Sequence, residues 1–240
     1  LEHGFKDESP VKDDVESGKT VVTNDQYDEL LRDGIDNILS HLDIPAVVRI
    51  RALMNWVGFW LVILQHSRAS AKLGTSPDHI ICDCGASNAQ LRRASQRCLR
   101  NMQTTILEAV DHVLNGASLS KQQRNKIRSF FWATAATIGL LNAWRGRRHF
   151  TLGLETLEMN VLAAMSSGSE MSFERFTTEW LFKKCGIVVG QEAAEQAGLL
   201  MDFDASIFEE NEDQLAIQME AAGLLSVYSD ATRMVGIGRT

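Results

Sequence analysis

The stretch Ala52-Leu53-Met54-Asn55-Trp56-Val57-Gly58-Phe59-Trp60-Leu61-Val62-Ile63-Leu64 decides the fold class. It is the longest apolar run in the chain, and at 13 residues it falls short of the roughly 20 that a membrane-spanning helix needs. It reads as the middle of a buried helix that is apolar nearly all round, so it is expected at the centre of the core. Pro45 suits the first turn of that helix and Gly74 the position just past its end. The chain has only three prolines, Pro10, Pro45 and Pro77. Long helices require that scarcity, because proline removes a donor and clashes with the preceding turn.

Upstream, residues 1–22 lack apolar periodicity and are rich in Asp, Glu, Lys and Ser, which predicts a flexible acidic arm. Thr23 with Gln26 forms a capping-box signal, and Tyr27, Leu30, Leu31, Ile35, Ile38, Leu39 and Leu42 recur at helical spacing to about His41. Downstream, His79 to Cys84 is short and apolar enough for an isolated strand. Ser87 with Gln90 opens a helix toward Gly116. Ser120 with Gln123 opens another that is expected to reach Trp144, and Leu154 to Met165 gives a further helix. The run Ser166-Ser167-Gly168-Ser169 marks the expected boundary between a helical domain, 23–165, and a second domain, 170–240.

In that last part, Ser172 caps a helix carrying Phe173, Phe176, Trp180, Leu181 and Phe182. A short helix covers about Gln191 to Ala197, and a third starts at Asp204 or Ser206 and stops at Gly223. Leu225 to Tyr228 and Thr232 to Val235 flank the turn Ser229-Asp230-Ala231. Three helices followed by a hairpin resemble a winged helix. The expected fold is therefore mostly α: an N-terminal multi-helix domain followed by a small winged-helix-like α+β domain.

The net charge of −7 conceals a segregated pattern. Residues 1–44 hold four basic and twelve acidic side chains, residues 90–150 eleven and two, and residues 170–240 five and thirteen, giving local balances of −8, +9 and −8. Charge laid out this way speaks of partners. Arg93, Arg97 and Arg100 fall on one side of their helix, opposite Leu91, Cys98, Met102, Ala109 and Val113, with Arg92 on the flank. On the next helix Lys121, Arg124 and Arg128 share a stripe, while Ile127, Phe131, Ile138 and Leu141 face inward. Arg145, Arg147 and Arg148 follow, flanked by Trp144 and Phe150. Such a face suits phosphates, since each one neutralised releases counterions, and neighbouring aromatics suit bases. The same face could instead dock an acidic protein or be merely solvated.

Motifs for catalysis are weak. His79-Ile80-Ile81-Cys82-Asp83-Cys84 offers soft metal ligands but has no second ligand pair at zinc spacing, so a buried strand with reduced thiols is expected and no metal or other cofactor. Asp83-Cys84-Gly85 before a helix resembles a glycine loop for nucleotides or methyl donors, but it lacks a second glycine. Gly18-Lys19-Thr20 ends like a phosphate loop, but Asp13 stands where the first glycine belongs. The four cysteines are irregularly spaced, unlike a disulfide framework, and no secretory leader is visible. Both point to a cytoplasmic or otherwise intracellular protein with no membrane partner. Leu1 in place of Met is what a processed product or fragment would show. The expected function is a non-catalytic nucleic-acid-associated protein or complex subunit. Its basic helices would contact DNA or RNA, and its acidic C-terminal module would bind a protein partner or cover the basic face until displaced; the expected partners are nucleic acid and a protein partner or homo-oligomer. The alternatives are a purely structural interaction subunit and an enzyme centred on residues 79–85.

Overall fold

The computed structural model describes residues 25–86, 88–114, 119–143, 147–229 and 231–237. These are mostly helical, with eight helices and a few short strands, in agreement with the expected class. α1 (Asp25–Ser40), α2 (Ala46–Leu73), α3 (Ala89–Val113), α4 (Lys121–Thr137) and α5 (Leu154–Ala164) come first, with β1 (Ile80–Ile81) between α2 and α3. β2 (Met171–Ser172) leads into α6 (Phe173–Arg175), which continues as a π-helix, Phe176–Lys184. β3 (Ile187–Val188), α7 (Gln191–Gln196), a 3-10 turn (Leu199–Met201), α8 (Ala205–Ala221), β4 (Leu225–Val227) and β5 (Arg233–Val235) complete the chain.

α2 is the axis of the helical part, packed against α1, α3, α4 and α5. Trp56 is fully buried; its ring stacks on Phe59 and Trp180 at 5.8 and 5.9 Å and meets Trp60 edge-on at 5.4 Å. Each such aromatic pair adds about 0.5–1.5 kcal/mol beyond area burial. Gly34 of α1 lies so close to the Trp56 indole that a Cβ would overlap it, and the indole N–H donates to the Leu31 carbonyl at 3.0 Å. By length and composition α2 could cross a membrane, but Ala52, Trp56, Phe59, Trp60 and Val62 on its inner side are buried in the protein core. The expectation of a helix central on all sides is corrected: the outer side of α2 faces solvent through Val47, Ile50, Met54, Val57 and Leu61.

The strand at His79 to Cys84 is not isolated. β1 pairs in parallel with β3, Ile80 beside Ile187 and Ile81 beside Val188, which ties the middle of the chain to its C-terminal part. β2, β5 and β4 form an antiparallel sheet in that order.

Side-chain caps start α3, α4, α6 and α8. Ser120 and Gln123 form the expected capping box on α4, and Ser172 caps α6 through the Arg175 amide. α3 is capped by Asn88, whose side chain accepts from the Gln90 and Leu91 amides; Ser87 and Thr23 lie outside the described residues. α4 stops well before Trp144. Its chain turns at Gly139, with φ +77°, and the Gly153 amide donates to the Gly139 carbonyl at 2.8 Å.

Candidate functional site

The N-terminus of α3 is organised around Asp83, which follows β1 and is buried. Asp83 Oδ1 accepts the Gly85 amide at 3.0 Å, and Oδ2 accepts Arg92 Nε at 2.7 Å and lies 3.5 Å from His149 Nε2. The Asp83 amide donates to the Phe150 carbonyl at 3.0 Å, and the Phe150 amide donates to Ser95 Oγ at 2.8 Å. One carboxylate therefore fastens the segment 147–150 to α3. Burial pulls the His149 pKa below the ordinary imidazole value, opposed by the Asp83 charge, and His149 Nδ1 is buried without a hydrogen-bond partner. His149 stands in no recognisable motif; the fold pairs it with Asp83 across 66 positions of chain.

The basic residues divide into three groups. Arg93, Arg97 and Arg100 stand exposed along the outer face of α3. Lys121 and Arg128 on α4 and the exposed Arg147 also lack an ion-pair partner among the described residues. Arg92 and Arg124 are already engaged, Arg92 by Asp83 and Arg124 by both carboxylate oxygens of Asp111 at 2.9 and 2.7 Å. Arg148 lies over the ring of half-buried Trp132, 4.2 Å from its centroid, so this aromatic packs against the core and also stands beside the arginines. Trp144 and Arg145 lie outside the described residues. Arg97 also lines a cleft of about 320 Å³ together with His79, Asn101, Asp202 and Phe203.

The four cysteines are all free and buried. Burial raises each thiol pKa, that of Cys98 to about 12. Neutral thiols of this kind are poor nucleophiles and poor metal ligands. The His79 ring packs 5.0 Å from that of Phe182. Among the described residues no three His, Cys, Asp or Glu side chains gather as metal ligands.

Among the described residues the acidic C-terminal part forms its ion pairs within itself and keeps an acidic excess. Arg233 meets Glu174 at 3.3 Å and Asp213 at 3.7 Å, and no ion pair among the described residues joins 170–237 to the arginines of α3 or α4. Glu209, Glu210, Asp213 and Glu220 of α8 are exposed. Glu212 turns inward, accepting from Thr177 Oγ1 at 2.8 Å, and burial raises its pKa against that bond and the Arg233 charge. Comparison with protein-family models, with curated proteins and with solved structures finds no match to this chain.

Proposed function

We propose that the chain is a non-catalytic nucleic-acid-associated protein, or a subunit of a complex that handles nucleic acid, and that it works inside the cell. The observation that carries this reading is the row Arg93, Arg97 and Arg100, exposed on α3 and free of carboxylate partners among the described residues. Lys121, Arg128 and Arg147 extend the set, and Trp132 beneath Arg148 supplies a ring next to charge, the combination that single strands use for stacking and phosphate contact. Arg92 and Arg124 hold carboxylates and contribute less to the field. That none of the four cysteines pairs into a disulfide supports the intracellular setting.

The C-terminal part, in this proposal, is a winged-helix-like module for a protein partner. Its helices α6, α7 and α8, the β4–β5 hairpin and β2 alongside β5 support the resemblance. The carboxylates exposed on α8 repel phosphate, so α8 is assigned a protein surface and not a DNA groove.

The test is a fluorescence-anisotropy titration of the full chain with labelled single- and double-stranded oligonucleotides across a salt series. Wild type binds at low salt, with a steep log–log salt slope. The triple variant Arg93→Ala, Arg97→Ala, Arg100→Ala flattens that slope by roughly one unit per lost phosphate contact, with the melting temperature unchanged. No binding by wild type at low salt, or an unaltered slope in the triple variant, overturns the proposal.

A further inference from the structure

On the outer side of α2, Val47, Ile50, Met54, Val57 and Leu61 are 72, 57, 71, 45 and 47% exposed. They follow one another at intervals of three, four, three and four residues, the spacing that keeps apolar side chains on one seam of a packed helix pair. Leu39 and Leu42, 45 and 77% exposed, lie at the end of α1, where Arg49 of α2 donates to the Leu39 carbonyl at 3.3 Å. The second cation that flanks Ile50, Arg51, is already paired with Glu158 at 2.7 Å.

We propose that this seam is the interface with a second copy of the chain, the two α2 helices packing along it. The area fits. The seven residues together leave about four aliphatic side chains of surface uncovered. At roughly 100 Å² of apolar area each, two copies bury about 800 Å². Homodimer interfaces are about 65% apolar, so the whole contact comes to roughly 1,200 Å², the lower bound for a specific stable interface. A seam on a single helix is also self-complementary under a two-fold axis, with Met54 at its midpoint facing Met54 of the other copy. An anionic bilayer fits worse, because α1 beside it exposes Glu29, Asp33 and Asp36, with Asp43 just beyond.

Sedimentation velocity of the full chain at about 10 μM, well above a sub-micromolar dissociation constant, gives twice the single-chain mass. Met54→Glu and Val57→Glu, at positions already solvated in one copy, keep the circular-dichroism spectrum and sediment as single chains. The dissociation constant rises about 100-fold or more, because each buries an unpaired carboxylate in the contact. Independently, Met54→Cys forms an intermolecular disulfide under mild oxidation and Arg93→Cys does not. The proposal is overturned by a single-chain mass for wild type, by a double mass that both glutamate variants retain, or by single chains that co-sediment with phosphatidylcholine vesicles through Met54.

Discussion

Asn211 carries more of the structure than any motif singled out in the sequence. It is fully buried; its Oδ1 accepts the Cys84 amide at 2.7 Å, and its Nδ2 donates to the Cys82 and Val189 carbonyls at 3.0 Å each. Three backbone groups near the parallel β1–β3 pair depend on this one amide. Asn211→Leu keeps the approximate volume and removes every partner. Each buried group left unmade costs about 1–3 kcal/mol, so the variant loses roughly 3–5 kcal/mol in a urea titration. An effect below about 1 kcal/mol would show that the site relaxes or takes up water. The sequence concealed this role, since Asn211 sits among Glu209, Glu210, Glu212 and Asp213 on a helix that reads as a solvated face. Only the tertiary placement of β1 beside β3 gives it backbone to hold. The basic residues show the opposite case. Helical periodicity placed Arg93, Arg97 and Arg100 outward without knowledge of the fold, but Asp83 and Asp111, which occupy Arg92 and Arg124, belong to other elements and had no signal at that spacing.

Elements were legible where local chemistry closes on itself. The capping box at Ser120 and Gln123, the Ser172 cap and the left-handed glycines Gly74 and Gly223 all act within a few residues, and the structure bears them out. α4 is the instructive miss. Its apolar periodicity runs on through Ile138 and Leu141, yet the helix ends at Thr137 because Gly139 turns left-handed and backs against Gly153. A Cβ at Gly139 would meet Thr156 Oγ1 at 3.2 Å and Glu155 Oε2 at 3.3 Å, besides adopting a φ that costs an L-residue about 1–2 kcal/mol. Gly139→Ala is therefore expected to destabilise the fold by about 1–3 kcal/mol. A melting temperature equal to wild type would mean that the helix simply extends toward residue 144. For α2, uniform apolarity was legible, but which side stays uncovered was not. Periodicity cannot choose between sides that are both apolar, and about three aliphatic side chains of exposure on its seam leave roughly 5–9 kcal/mol of transfer energy unrealised in one copy.

At the scale of the whole molecule, charge and apolar contact divide the chain differently. Charge separates an acidic start, a basic middle and an acidic end, and no ion pair joins the last two among the described residues. The core ignores that division. Trp56 stacks on Trp180, Trp180 Nε1 donates to Asn160 Oδ1 at 3.1 Å, Gln218 Nε2 donates to the Cys84 carbonyl at 2.7 Å, and one apolar cluster includes Ile38, Met102, Leu162, Leu181 and Leu215. Separable domains need a boundary that few contacts cross, whereas at Ser166–Ser169 the exposed loop is crossed by a strand pair, buried hydrogen bonds and stacked rings. The chain is therefore expected to unfold in a single calorimetric transition, with calorimetric and van't Hoff enthalpies equal. Because the joining contacts are uncharged and largely buried, raising salt from about 0.05 to 0.5 M should leave that transition single while it weakens the proposed nucleic-acid binding. Two resolved transitions, or one that splits as salt rises, would show instead that the C-terminal part is an independent domain held on by the opposite fields of the two surfaces.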